Sequence, residues 1–303
     1  HEETEEEAEK RKSFLDEKPR ETVFLALKGK LKKALSCKVG KVYIDEKMKK
    51  VALPIQESTS NGGFGVLSKG SRLPLDTSRV VRAFTYWSQV NDIDLSCIAV
   101  NDDGKIVKEF SWRTARTFNP DYILFSGDQT SGFNGGSEYF DIDVNAFKKA
   151  VPQAKYIIFC NNVFSDVPFS QVECRAGYMI REKQGSGEVY EPKTVRSAFK
   201  IDCNSVYAYL YAIDLEKSEL VWLNVANDSI FIIAAYEGAR KLMPYIKSTD
   251  ILNVYDFAEL IATEVVSDIN EADIVFSDKE LELKEEALQI HSYDFEKLLA
   301  FMN

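Results

Sequence analysis

Residues 122–144 read YILFSGDQTSGFNGGSEYFDIDV. A short apolar run, Tyr122 to Phe125, enters a loop from Ser126 to Glu138 that holds Gly127, Gly132, Gly135 and Gly136. The chain leaves that loop with Phe140, Ile142 and Val144 on one face and Asp141 and Asp143 on the other. Alternation of that kind is the mark of a half-exposed strand, which makes solvated groups of the two aspartates. Strand, polar glycine-bearing loop and strand in succession predict antiparallel pairing.

The same pattern extends outward in both directions. Upstream, Val42 to Ile44, Val51 to Ile55, Val80 to Trp87 and Ile93 to Val100 read as strands. Asn101-Asp102-Asp103-Gly104 is a turn signal that predicts a hairpin with Ile106 to Phe110. Asn61, Gly62 and Gly63 mark another turn. Downstream, Tyr156 to Cys160 is a continuous apolar run, as expected of a strand buried on both faces. Gln171 to Arg181, Phe199 to Ile201, Val206 to Ile213 and Leu220 to Val225 complete the set. Many short strands with polar connections predict a mainly β fold, an antiparallel β-sandwich, over 41–226.

The flanks read differently. Residues 1–20 are almost wholly charged, a solvated lead or linker. Over 21–40, Phe24, Leu25, Leu27, Leu31, Ala34 and Leu35 recur at helical spacing opposite Lys28, Lys30, Lys32 and Lys33. That pattern suits a basic amphipathic helix docked on the main domain, in preference to one for a membrane or nucleic acid. From 227 onward, Ser229 to Ile246, Val254 to Val265 and Leu281 to Met302 read as helices, with a short strand at Ala272 to Phe276. These predict a small α-rich C-terminal lobe over 227–303.

Composition narrows the function classes. The 303 residues are 45% hydrophobic and 12% aromatic, as a folded chain requires. A formal net charge of -10 and a pI near 5.0 oppose nucleic-acid binding by the whole chain, because phosphates are repelled. Five cysteines with no CxxC spacing predict free thiols in a reducing, cytoplasmic setting, not disulfides or a zinc site. Only His1 and His291 are present, and His291 reads as a surface or capping group on the last helix. Trp87, Trp112 and Trp222 read as core or core-edge aromatics. No apolar run reaches the length of a membrane helix, and the acidic start has no signal-peptide character. The lack of an initiating Met reads as a piece of a longer chain.

Asp92-Ile93-Asp94 places two carboxylates on one face if extended, and such a pair repels unless a cation or base lies between. Asp128, Asn134 and Glu138 stand in the glycine-rich loop. Oxygen donors on a backbone free to turn tightly are what Ca2+ needs. The five residues Asp92, Asp94, Asp128, Asn134 and Glu138 are therefore the candidate ligands of one calcium ion, with room for a second. Asn101 to Gly104 lacks the spacing of an EF-hand.

The ordered pair of motifs, Asp92-Ile93-Asp94-Leu95-Ser96 and then Gly127-Asp128 with Asn134, Gly135 and Glu138, resembles the signature of the TerD domain. This domain belongs to the tellurium-resistance and stress-response family of bacteria. The resemblance covers roughly 75–225, and Gly70 to Pro74 with Tyr86-Trp87 resemble longer members with flanking segments. It implies a calcium-binding β-sandwich without catalytic residues, acting through protein partners in stress response. Position by position, Asp92 and Asp94 fall on the first acidic motif, and Asp128, Asn134 and Glu138 on the second. Ser96, Asn134 and Ser137 stand where the family has acidic residues, and the loop is one residue shorter; fewer charges imply weaker binding or a single ion. Two other functions fit the residues less well: a metal-assisted hydrolase built on the acidic cluster, and an anion- or nucleic-acid-binding accessory protein using the basic region Lys28 to Lys50.

Overall fold

The computed structural model describes residues 39–53, 68–115, 120–165, 167–188, 195–201, 203–227, 234–248, 252–292 and 294–301, with 26 and 29. The charged lead, most of the basic helix expected over 21–40, and the turn at Asn61 to Gly63 lie outside the described residues. The chain forms two compact units, one of 50–251 and a discontinuous one of 1–49 with 252–303. Strand outweighs helix, and the pairing in the larger unit is antiparallel throughout.

The larger unit contains β2 (Arg72–Pro74), β3 (Val80–Ser88), β4 (Ile93–Val100), β5 (Ile106–Phe110), β6 (Ile123–Phe125), β7 (Gly136–Ile142), β8 (Tyr156–Val163), β9 (Glu173–Arg181), β10 (Val195–Lys200), β11 (Tyr207–Asp214) and β12 (Glu219–Asn227), numbered after β1 (Lys41–Ile44) of the other unit. A five-stranded sheet runs β10-β9-β3-β7-β6, and a six-stranded sheet runs β2-β12-β11-β8-β4-β5. Both contribute to one apolar core: Val81, Ala83, Trp87 and Phe140 from the first, Leu95, Phe159, Leu210 and Trp222 from the second. The hairpin expected at Asn101 to Gly104 is present, with Gly104 N donating to Asn101 O at 3.1 Å.

The apolar run of β8 shows why its alternation is lost. Ile157, Phe159 and Val163 face the shared core, while Tyr156, Ile158 and Cys160 face a second cluster on the opposite side. That cluster is completed by Ala239, Leu242, Met243 and Ile246 of a helix, Ala234–Lys247. It is labelled α3, after a single turn α1 (Trp112–Ala115) and α2 (Val144–Ala150). In β11 the inward phase shifts: Ala208 and Leu210 point to the core, and so do Tyr211 and Ile213. A bulge in the register between Tyr209 and Tyr211 supplies the extra residue. Gly104 is required where the β4–β5 turn meets α3, since a Cβ there would overlap Met243 and the Arg240 backbone.

This placement corrects the expected α-rich lobe over 227–303, because α3 belongs to the two-sheet unit. Leu242→Ala is accordingly expected to destabilise that unit by about 2–4 kcal/mol through lost burial and a cavity. All three tryptophans lie within 50–251, so their fluorescence through a urea titration reads this transition. A change within ~0.5 kcal/mol, as for a surface site, would detach α3 from the sheet.

The discontinuous unit is α/β. Its sheet runs β13 (Glu264–Val265), β1, β14 (Ile274–Phe276) and β15 (Leu288–Ile290), all parallel. Among its described elements are the helices α4 (Val254–Ile261), capped by Asn253 accepting from Asp256 N at 2.8 Å, and α5 (Phe295–Ala300). Val42, Val275, Phe276, Ile261 and Ile290 are buried in it. At the carboxyl ends of β1 and β14, Asp45 accepts from Ser277 Oγ and pairs with Lys279 at 2.8 Å. Two expectations are corrected here. Val42 to Ile44 pairs with strands more than two hundred residues later, outside the two-sheet unit. Leu281 to Met302 is not one helix but a stretch holding β15 and α5, and His291 follows β15.

The expected strand Tyr139 to Val144 also differs. It begins earlier, at Gly136, and ends at Ile142; Asp143 caps α2 by accepting from Ala146 N at 2.9 Å. Asp141 is buried, not solvated. Its carboxylate takes the Arg82 guanidinium in a two-bond fork, Nε to Oδ1 at 2.6 Å and Nη2 to Oδ2 at 2.7 Å. Arg82 and Asp141 are direct register partners of β3 and β7, which puts both on one face of the sheet.

Candidate metal centre

Asp92, Asp94 and Asp128 converge at one end of the two-sheet unit. Each offers a carboxylate oxygen, and these atoms lie within 4.8 Å of one another. Asp92 ends the β3–β4 connection and Asp94 is the second residue of β4. Their side chains share a face while Ile93 and Leu95 fill the core. Asp128 comes from the β6–β7 loop.

The loop is held in place by Trp87 from below. Its indole is fully buried, and a Cβ at Gly132 or Gly136 would overlap it. Those two glycines let the loop lie flat on the ring. Trp87 Nε1 also donates to Asn91 O at 3.4 Å, which ties the β3–β4 connection to the same ring. Within the loop, Gln129 Oε1 accepts from Ser137 N at 3.0 Å and Gln129 Nε2 donates to Ser131 O at 3.2 Å.

Glu138 lies outside the group of three. It shares a face with Phe140 and Ile142 and is fully buried. Its oxygens accept from Leu95 N at 2.8 Å and from Gln129 N at 3.0 Å. It therefore clips the acidic loop to β4. Asn134 is exposed in the turn closed by Gly135 N donating to Gly132 O at 3.0 Å. Of the five expected ligands, three converge, one braces the site from inside, and one stands in the loop's exposed turn.

The electrostatics are those of crowded anions. Burial raises the Asp94 carboxyl to about 6; the Asp92 charge adds to this, a hydrogen bond from Asn162 offsets part of it, and the Asp128 charge contributes further. Asp92 is raised by burial and then by Asp128. Glu138 is raised by burial to about 8, although its two backbone donors pull the other way. Asp92 Oδ1 is buried with no hydrogen-bond partner, and so is Asn162 Oδ1. Buried oxygens normally find a donor, so two orphaned acceptors beside three carboxylates mark a place suited to a cation.

Asn162 escaped the sequence reading. It sits opposite Asp94 in the β4–β8 register, a relation that no local pattern encodes. Its one visible signal is being polar at the end of the apolar β8 run.

Among the described residues, no other group of three or more His, Cys, Asp or Glu side chains is arranged to hold a metal. The described cysteines Cys97, Cys160, Cys174 and Cys203 are free thiols. No described helix is long and apolar enough to cross a membrane. No family model and no curated protein matches the chain.

Proposed function

We propose that this chain is a calcium-binding, non-catalytic protein of the TerD type, in which the cation orders the loops at one end of a β-sandwich. The observation that carries this reading is the convergence of Asp92, Asp94 and Asp128 with the buried, unpartnered Asp92 Oδ1 beside them. Three carboxylates and the Asn162 carbonyl are hard oxygen donors, the set that suits Ca2+ and not a thiolate or imidazole metal. With Glu138 engaged by two backbone N–H groups, the donor set fits one ion. Asp92, Asp94, Asp128 and Asn162 would hold it, and its charge would relieve their mutual repulsion.

The bound cation would do structural work. It would tie the β3–β4 connection to the β6–β7 loop, and the ordered sandwich acts through other stress-response proteins in a bacterial cytoplasm. The metal-assisted hydrolase reading has less behind it, because among the described residues no histidine joins the group of three aspartates.

Calorimetric titration of Ca2+ into metal-stripped protein tests this reading. We expect saturable binding near one equivalent and a rise in melting temperature; at a hundredfold excess over Kd the stabilisation is about 2.7 kcal/mol. The Asp94→Asn, Asp128→Asn double variant is expected to give no binding heat and no shift. A parent protein that binds no calcium at millimolar concentration would overturn the assignment.

A further inference from the structure

Two phenylalanines project into solvent beside the acidic triad. Phe133 is 61% exposed and Phe164 is 72% exposed. Phe133 lies in the β6–β7 loop that carries Asp128, next to Gly132, which packs against Val90 O of the β3–β4 connection. Phe164 follows β8, and its N–H donates to Asp92 O at 3.2 Å. Both therefore sit on loops joined directly to the candidate ligands. The neighbours of Phe164 pack inward: Val163, the last residue of β8, is buried and Val167 is partly buried against the core. Single exposed apolar side chains are ordinary on a protein surface, but these two stand on loops that carry or bond to the candidate ligands.

The charge of this end selects the occupant. Among the described residues, the three loops 89–92, 126–135 and 164–168 carry Asp92 and Asp128 and no Lys, Arg or His. Such a tip repels an anionic surface unless a cation intervenes. Calcium takes six to eight oxygens, and the aspartates with Asn162 leave positions for oxygens from outside. Phosphate and carboxylate oxygens of a lipid headgroup are suitable donors, while the two rings, on separate loops adjoining the candidate ligands, match the apolar layer beneath the headgroups.

Resting on the calcium reading above, we infer that this end docks on an anionic phospholipid membrane in a calcium-dependent manner. Headgroup oxygens complete the ion's coordination, and Phe133 and Phe164 insert between lipids. The cation acts as the switch, because it turns a repulsive tip into an attractive one. Two isolated, projecting rings favour a fluid lipid layer over a protein partner, which would need a continuous complementary surface.

The test is co-sedimentation of the full chain with phosphatidylcholine vesicles, with and without phosphatidylserine, in calcium or after metal stripping. We expect sedimentation only with phosphatidylserine and calcium together. Phe133→Ser and Phe164→Ser should each weaken vesicle binding about tenfold, with the calorimetric calcium signal and the melting temperature retained. A Phe164→Trp variant should shift its emission to the blue when vesicles and calcium are both present. Calcium binding by calorimetry with the protein left in the supernatant overturns the docking inference and spares the metal site. So does sedimentation unaffected by the serine substitutions, or calcium-dependent retention on a protein with no vesicle binding. Absence of any calcium heat defeats the metal reading itself.

Discussion

Asp141→Ala is expected to lower the unfolding free energy of the two-sheet unit by about 3–5 kcal/mol. The carboxylate and the Arg82 guanidinium are both fully buried. Removing the anion leaves a buried cation with no opposite charge to offset its desolvation. More than a pair is lost. Asp141 Oδ2 also accepts from Gly185 N at 2.7 Å, while Arg82 donates to Glu188 O at 2.7 Å and Ser186 O at 3.0 Å. The Arg82 guanidinium stacks 3.7 Å from the Tyr139 ring centroid. Together these bonds pin the turn after β9 against β3 and β7. Replacing both members with leucine is expected to recover most of the loss, since an apolar pair carries no desolvation cost. Urea midpoints for the single and double variants decide the matter. A single-variant loss under ~1 kcal/mol would mean that the pair is solvated in solution.

The second large effect is on pH. In metal-free protein, Asp94 and Glu138 have folded values of about 6 and about 8, raised from 3.8 and 4.5. An acid whose folded value exceeds its unfolded value binds more protons when folded, so stability falls as pH rises between the two. The metal-free protein is thus expected to lose stability from pH 5 to pH 8, by an amount on the order of 3 kcal/mol after allowance for the partial exposure of Asp94. Asp45 in the other unit is shifted the opposite way, below 3.8, and does not act in this window. Calcium needs the ionised carboxylates that the apo fold resists, so its stabilisation should be larger at pH 8 than at pH 5. Melting temperatures of stripped and calcium-loaded protein across this range give the comparison. Glu138→Gln should flatten the stripped profile above pH 6. A stripped protein that grows more stable from pH 5 to pH 8 would show that these carboxyls are not strained in the fold.

The mainly β character, most strand positions and the Asn101 to Gly104 hairpin were legible because period-two alternation and turn residues are local signals. Asp92 and Asp94 were legible as a same-face pair for the same reason. Their meeting with Asp128 was also anticipated, from two acidic motifs in order. Glu138 shows where such reading stops. A carboxylate in a glycine-rich loop reads as a ligand, yet strand β7 begins two residues earlier and turns it into the core, where backbone N–H groups claim it. Asp141 was misplaced for a related reason: alternation says which residues share a face, not whether that face is covered.

Covering is a property of distant chain segments. The sequence alone settled local periodicity, the acid pairs, the turn chemistry and the absence of histidine and thiolate metal motifs, since each depends on residues a few positions apart. The tertiary structure alone decided the rest. It set β1 beside strands from the far end of the chain, laid α3 on the outer face of β8 and β11, buried Arg82 with Asp141, and placed Asn162 opposite Asp94. Each of these depends on pairing register or packing between segments far apart in the chain, and periodicity within a segment carries no information about its partner.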